Sequence, residues 1–432
     1  MQEQRCRKDI PRSKEIRTSK VLYPLSNRYV SMAFRGWEGS VQPVYIVSAV
    51  WTPIGKFGGT LLDFTAADLG VIAAKAAIER AGVRPEQVEE AIFGNARQAG
   101  GGPNVARQIS YRAGVPETTP AYTVNKACAS GLKSIALGYQ EILLGNADCV
   151  LAGGTESMSR LPYLVEGARW GMRLGDQTLV DAMYRDGFLD PLSKLLMGET
   201  AEKLAELHQI SREEQDCYAQ SSQLRAEAAT REGRFRDEIV PVEIKTKKGV
   251  QMFDADEHTR FGATLEGMAK LSPVFSKTGT VTAGNSSGIT DGAAATVLVS
   301  ERKVKEWGLK PLARIVDYTT VGVDPSIMGI GPVPAGRKLL GKLDWTLDRF
   351  GLIELNEAFA AQVLACDREL HFDRDRLNPN GGAIALGHPI GCSGTRIVVT
   401  LLHAMRQRGV ERGLATLCVS GGLGMALALE AA

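Results

Sequence analysis

The sequence predicts an α/β fold of two like halves, each a strand–helix–strand–helix–strand run forming a parallel sheet covered by helices. Three observations carry this. Buried-strand patterns alternate with helical ones, the order that builds parallel sheets. The order appears once from Val44 and again from Leu312, which points to internal duplication. Between residues 159 and 289 the alternation breaks down, and this stretch reads as an inserted, loop-rich segment.

In the first half, Val44–Val50 is a continuous apolar run of strand length. The loop Thr52-Pro53-Ile54-Gly55 follows it, then a helix through Asp68 to Arg80 with Gly82 as its stop. Val88–Phe93 is the next strand. The loop Gly100-Gly101-Gly102-Pro103-Asn104 lacks the GxGxxG spacing and placement of a dinucleotide site. Leu132, Ile135, Ala136, Tyr139 and Leu143 recur at helical spacing as far as Gly145. Cys149–Ala152 is a strand that runs into Gly153-Gly154-Thr155-Glu156-Ser157. In the insertion, Ser211 and Glu214 have capping-box spacing, which predicts a helix to about Glu232 before Gly233. Gly292–Ser300 resumes strand character.

The second half repeats the order. Ala313–Tyr318 is a strand, Pro334–Leu343 a helix and Leu352–Leu355 a strand. A Gly-rich loop reaches Ser393, a helix runs to Arg408, and Leu414–Cys418 is a strand ending at Gly421-Gly422. The organisation is therefore 1–42 as a basic extension, 43–158 with 290–310 as the first half, 159–289 as the loop domain, and 311–432 as the second half.

Composition narrows the function. The 432 residues carry a net charge of +2, so no global field points to nucleic acid, and an acidic ligand needs a local basic patch. No apolar run has transmembrane length. Seven cysteines without paired or CxxC spacing argue against a disulfide framework and a zinc site, and for a reducing, intracellular compartment. The basic extension has no apolar h-region, so it is not a secretory signal, and Asp9, Glu15 and Glu38 speak against a mitochondrial leader. It reads as a disordered tail, or as an upstream extension with Met32 the true start.

The chemistry centres on Val124-Asn125-Lys126-Ala127-Cys128-Ala129-Ser130-Gly131. A thiol at a helix N-terminus meets unpaired N–H groups and the positive end of the helix dipole. That favours thiolate and lowers the pKa below its usual value of about 8.5. Cys128 is therefore a candidate nucleophile; taken alone, it also reads as a small buried residue at a tight turn. The counterpart loop in the second half is Asn380-Gly381-Gly382-Ala383-Ile384-Ala385-Leu386-Gly387-His388-Pro389. Two repeats facing each other bring both loops to one cleft. Asn356-Glu357-Ala358-Phe359 and Cys418-Val419-Ser420-Gly421-Gly422 close strands of the second half, where ligands of parallel sheets bind.

These stretches resemble the thiolase family from about Val44 to the C-terminus. With them go Met197-Gly198-Glu199-Thr200-Ala201-Glu202, Thr282-Ala283-Gly284-Asn285 and Asp291-Gly292-Ala293. Each is a weak pattern, and together in this order they are specific. The resemblance implies duplicated βαβαβ halves in an α-β-α-β-α layered core. It implies Claisen condensation of two acetyl-CoA to acetoacetyl-CoA and CoA, or the thiolytic reverse, by an acetyl-CoA C-acetyltransferase. Cys128 is expected to carry the acyl group. His388 takes the thiol proton and later donates to an oxyanion. Cys418 moves the proton of the second acetyl group, and Asn356 holds a water beside His388. The backbone N–H groups of Cys128 and Ser420 bind the other oxyanion. Arg260 is expected beside the nucleotide of CoA, and Ser287 on the pantetheine. Met197, Phe275, Ala358 and Phe359 are expected to line its channel.

Each residue also has a plainer reading. His388 reads as a loop histidine capping backbone groups, Cys418 as a strand cysteine, Asn356 as a turn residue and Arg260 as a solvated charge. Cys6, Cys149, Cys217 and Cys366 read as structural or incidental, and Cys392 as packing. His208, His258, His371 and His403 read as surface residues. Three residues depart from the family's pattern: Leu196 stands where short-chain enzymes carry histidine, Trp51 replaces an arginine, and Ser420 a glycine. The rival readings are a degradative 3-ketoacyl-CoA thiolase for longer chains and a non-catalytic acyl-CoA or lipid binder. No metal or cofactor is expected, nor any nucleic-acid or membrane partner. A cytoplasmic homodimer or homotetramer working in fatty acid metabolism is expected.

Overall fold

Apolar runs such as Val44–Trp51 and Thr290–Ser300 can lie buried on both faces only if helices cover both sides of their sheet. The computed structural model, which describes residues 42–432, has that arrangement. Residues 43–432 form one unit. The basic extension falls, Gln42 excepted, outside the described residues.

Among the described residues ten strands form one mixed sheet, with Gly55–Lys56 paired beside its path to Thr290–Ser300. Its path runs Leu352–Leu355, Arg412–Val419, Leu423–Ala431, Ala313–Gly322, Val44–Trp51, Thr290–Ser300, Cys149–Ser157, Glu90–Gly94, Ala121–Val124. The path shows the duplication, since the two halves meet at their first strands. That joint is short: Tyr45 faces Arg314 and Ile46 faces Ala313. The Ala66–Ala81 helix covers the first half and the Pro332–Leu343 helix the second. The helices Ser130–Leu143 and Ile390–Arg408 pack on each other, and the second contacts strands of both halves. The result is the layered α-β-α-β-α order. The Ala66–Ala81 helix has a complete capping box between Thr65 and Asp68 and stops at Gly82, at φ 68°. The long helix Arg212–Arg231 starts on the expected Ser211–Glu214 box.

Three expectations need correction. The sheet is parallel only where Glu90–Gly94 and Leu352–Leu355 pair with their neighbours. Elsewhere it is antiparallel, because a link as short as Ser420–Gly422 can only reverse the chain. The strand Leu423–Ala431 was not expected, since its Ala and Leu side chains favour helix. The Gly-rich stretch before Ser393 hides the helix Ala360–Leu370, and the first half likewise holds Val105–Arg112 and the strand Ala121–Val124.

Glycines set the spacing of the central layer. A Cβ on Gly154 would lie 2.1 Å from the Gly391 carbonyl oxygen, and one on Gly394 would lie 2.3 Å from Leu132 N. One on Gly131 would meet Thr395 Oγ1 at 2.6 Å. A buried ionic group lies further along the same helix. Arg396 and Glu354 are each 1% exposed, with Nη1 and Oε2 3.7 Å apart. Glu238 is fully buried, with the Thr400 hydroxyl beside its carboxyl group. Burial first, with neighbouring acids, raises Glu238 to about 8. Burial raises Glu354 to about 8 against the pull of Arg396.

Two predictions follow from this packing. Gly154→Ala should lower stability by about 1–3 kcal/mol. Gly341→Ala, in open helix, should leave it unchanged or raise it by up to about 1 kcal/mol; urea midpoints compare the two. The second concerns pH. Ordinary carboxyls titrate near 4 in the unfolded chain, so between that pH and about 8 the folded state binds more protons. Stability from these groups is present at low pH and is lost as pH rises through 7–8. The urea midpoint should fall from pH 6.5 to pH 9, and Glu238→Gln should flatten the fall; a parallel fall in both proteins would refute the assignment.

Candidate active site

Cys128 lies on the turn between Ala121–Val124 and the helix Ser130–Leu143. Side chains close this turn. Asn125 Oδ1 accepts the Ala127 N–H at 2.9 Å. Ser130 Oγ accepts the Lys126 N–H at 2.8 Å and donates to the Ala127 carbonyl at 2.7 Å. They hold Ala127 at φ 43°, a left-handed conformation that costs a non-glycine residue about 1–2 kcal/mol. Cys128 is 8% exposed, and the backbone N–H of Ser420 hydrogen-bonds its sulfur.

The helix terminus alone argues for a lowered thiol pKa. The structure reverses that sign. Burial pushes the Cys128 thiol up, against Arg97 and the N–H groups of Ser420 and of Cys128 itself. In the unliganded protein Cys128 is a thiol that needs a base. Cys418, near the end of Arg412–Val419, is fully buried, and its thiol is pushed well up by burial and by the neighbouring Cys128.

His388 occupies the turn before Ile390–Arg408. It is 7% exposed, and burial, with Arg396 and Arg97, lowers its pKa to about 3. The imidazole is therefore neutral. Its Nδ1 lies 2.6 Å from Ser393 Oγ, and its buried Nε2 has no partner among the described residues. Asn356 follows the strand Leu352–Leu355, held by its N–H to the Thr416 carbonyl. Its side chain is 1% exposed, and among the described residues neither the amide oxygen nor the amide nitrogen has a partner. Buried polar atoms are seldom left so, and these are suited to a bound water or substrate.

A residue the sequence reading passed over ties the site together. Glu156 ends the strand Cys149–Ser157 and is fully buried. Its carboxylate accepts from Asn95 Nδ2 at 2.6 Å and from the N–H groups of Ala96 and Arg97 at 3.1 Å each. It also accepts the Gly391 N–H at 2.9 Å, clamping the His388 helix to the first half. Burial raises it to about 7 against these bonds and Arg97. An acid closing an apolar strand was the available signal.

The residues expected to line a channel pack against one another. Phe275 and Phe359 meet edge to face, with centroids 6.2 Å apart. Met197 and Phe275 pack on the cluster containing Ala358 and Phe359. The Ser287 N–H donates to the Ala358 carbonyl at 3.0 Å. Arg260 is exposed, its N–H held by Gln223 Oε1 at 2.8 Å. Two histidines read as surface residues lie inside. His403 is 6% exposed with Nε2 3.0 Å from the Ala49 carbonyl oxygen. His258 is largely covered, with Nδ1 3.0 Å from the Ala385 carbonyl oxygen. Cys149, Cys366 and Cys392 are buried thiols pushed up by burial. Trp51 is buried edge to face against Phe235, so it serves packing.

Comparison with known proteins gives concordant matches. Residues 44–302 match the thiolase N-terminal domain model and 309–431 the thiolase C-terminal domain model. An acetyl-CoA acetyltransferase of Cupriavidus necator is 52% identical over 388 residues, covering 90% of this chain and 99% of that protein. The crystal structure of human mitochondrial 3-ketoacyl-CoA thiolase superposes with a TM-score of 0.89 at 48% identity, covering 91% of this chain and all of that one. The Bacillus anthracis acetyl-CoA acetyltransferase matches with the same TM-score, identity and coverage. The human enzyme in complex with CoA matches with a TM-score of 0.88 at 48% identity, covering 91% of this chain and 98% of that one.

The electrostatics predict how Cys128 reacts. Iodoacetamide alkylation of Cys128, followed by peptide mass spectrometry, should climb with pH beyond the ordinary thiol range. Arg97→Met should slow it at each pH. A plateau by neutral pH, or equal rates in both proteins, would contradict the charge balance described.

Proposed function

This chain belongs to the thiolase family and is an acyltransferase, and from that premise we propose that it is an acetyl-CoA C-acetyltransferase acting through Cys128. One observation carries the assignment of residues: the unpartnered His388 Nε2 and Asn356 amide, buried in a site where the Ser420 N–H meets the Cys128 sulfur.

Neutral His388 takes the Cys128 proton as the sulfur attacks the thioester carbonyl of an acyl-CoA. The carbon–sulfur bond to CoA breaks, and the leaving CoA thiolate takes the proton of the Cys418 thiol, so Cys418 is left as thiolate while His388 keeps the Cys128 proton. A second acetyl-CoA loses a methyl proton to this Cys418 thiolate. Its enolate carbon attacks the acyl carbonyl and expels Cys128, which regains its proton from His388. His388, with a water on Asn356, steadies the enolate oxygen. The N–H groups of Cys128 and Ser420 receive the other oxyanion. Thiolysis runs the same steps backward. The wall of Met197, Phe275, Ala358 and Phe359 takes the pantetheine, Ser287 bonds it, and Arg260 meets the nucleotide. CoA thioesters are the substrates, and every step is given to them and to protein groups.

The finer context is also our reading. Among the described residues no helix is long and apolar enough to cross a membrane. We place the protein in the cytoplasm, in fatty acid metabolism, as a homodimer or homotetramer. The exposed apolar side chains of Trp170, Met172, Leu174, Leu179 and Leu192 support association. A second reading, a degradative enzyme for longer chains, is favoured by Leu196, which caps the Met197–Leu207 helix without a side-chain hydrogen bond.

CoA-dependent cleavage of acetoacetyl-CoA beside a longer 3-ketoacyl-CoA separates the readings. The expected preference is for acetoacetyl-CoA, with Cys128→Ala at background. Preference for the longer substrate would move the chain to the degradative group. Cys418→Ala should still acquire label from acetyl-CoA on Cys128 while condensation falls by about 10²–10⁴. CoA binding without turnover would leave a binding protein.

A further inference from the structure

Ser393 lies one helical turn beyond His388 and is 1% exposed. Its Oγ is 2.6 Å from His388 Nδ1 and 3.0 Å from the Pro389 carbonyl oxygen. A hydroxyl has one proton to give, and a carbonyl oxygen only accepts. If the proton points to Nδ1, two lone-pair oxygens face each other at 3.0 Å with no proton between them. If it points to Pro389, Nδ1 must carry a proton and donate it to Oγ, and both contacts are hydrogen bonds. The Pro389 carbonyl also takes the N–H groups of Cys392 and Ser393, at 2.9 Å each, the sharing usual at a helix start. Only the second arrangement makes both Ser393 contacts hydrogen bonds, and it leaves Nε2 as a bare lone pair.

We propose that Ser393 is a positioning residue that locks neutral His388 as the Nδ1–H tautomer, so that its unpartnered Nε2 is the lone pair that receives the Cys128 proton. This rests on the acyltransfer reading for what Nε2 does, but not for which nitrogen is protonated. The same lock serves both stages. After Nε2 takes the proton, Nδ1–H still donates to Ser393, so the ring turns to donate to an oxyanion without any tautomer exchange. The chain Nδ1–H to Oγ–H to carbonyl also aims two dipoles at the imidazolium while it exists. The resting ring is neutral, as its lowered pKa requires.

Nitrogen-15 NMR of histidine-labelled protein tests this directly. The His388 signals are assigned by their loss in His388→Gln. The expected wild-type spectrum near pH 7 has a protonated Nδ1 and an unprotonated Nε2. Ser393→Ala should shift the population toward Nε2–H and lower kcat by about 10- to 100-fold with KM little changed, a part of the 10²–10⁴ a positioned base supplies. Ser393→Thr, which keeps the hydroxyl, should retain the Nδ1–H signal and most of the rate. A protonated Nε2 in the wild type overturns the proposal, as does a Ser393→Ala protein with wild-type tautomer and rate. Should Ser393→Ala not fold, the wild-type spectrum alone decides. A wild type that cleaves no 3-ketoacyl-CoA sinks the acyltransfer reading instead, and the spectrum still tests the lock.

Discussion

The near-contact of two helix backbones in the central layer is the constraint on which the rest depends. Helices normally keep their axes 8–10 Å apart because side chains stand between them. Here Gly131 and Gly394 remove that spacer, and Gly154 lets the sheet approach Gly391 just as closely. Each helix begins at a turn that bears a reactive group, Cys128 in one half and His388 in the other. Packing the helices together therefore draws those two turns together. Glu156 completes the arrangement, because its carboxylate takes the Gly391 N–H and the loop at Ala96 and Arg97 together.

Burial then decides the protonation states. Cys128 and Cys418 are held as thiols and His388 as imidazole, all neutral, so the resting cleft carries little charge of its own. Desolvation outweighs the helix dipole at Cys128, since the dipole contributes fractions of a kilocalorie to about two while full burial shifts a pKa by several units. On the proposed mechanism, such a site meets a thioester whose oxygen becomes negative only as the reaction proceeds. The preformed N–H donors of Cys128 and Ser420 and the unpartnered Asn356 amide suit charge that develops only during reaction.

Much of this was legible in the sequence. Apolar runs named the buried strands, a capping box named the helix start at Ser211, and the repeated order named the duplication. Cys128, His388 and Cys418 stood out because reactive side chains were flanked by glycine and small residues at element ends. Strand polarity was not legible, since a strand covered on both faces looks the same in either direction. Glu156, Ser393 and Arg396 stayed hidden because their roles lie in partners brought from distant chain, and a serine or an acid in a list announces no partner. The helix-dipole argument at Cys128 failed for the same reason: the residues that bury the thiol come from both halves.

The glycines of the central layer also bear on how such a chain can change. A leucine in a core has neighbours in sequence space, such as methionine or isoleucine, that fill nearly the same volume. Glycine has none, because every single replacement adds at least one carbon. Where that carbon meets a backbone atom, no side chain can swing aside to admit it. Gly154 and Gly394 can drift only if the opposing backbone retreats in the same step, and that retreat would part the helices whose starting turns carry Cys128 and His388. Variation that leaves the scaffold in place is thus channelled away from the central layer and into walls such as that of Met197, Phe275 and Phe359, where side chains face side chains.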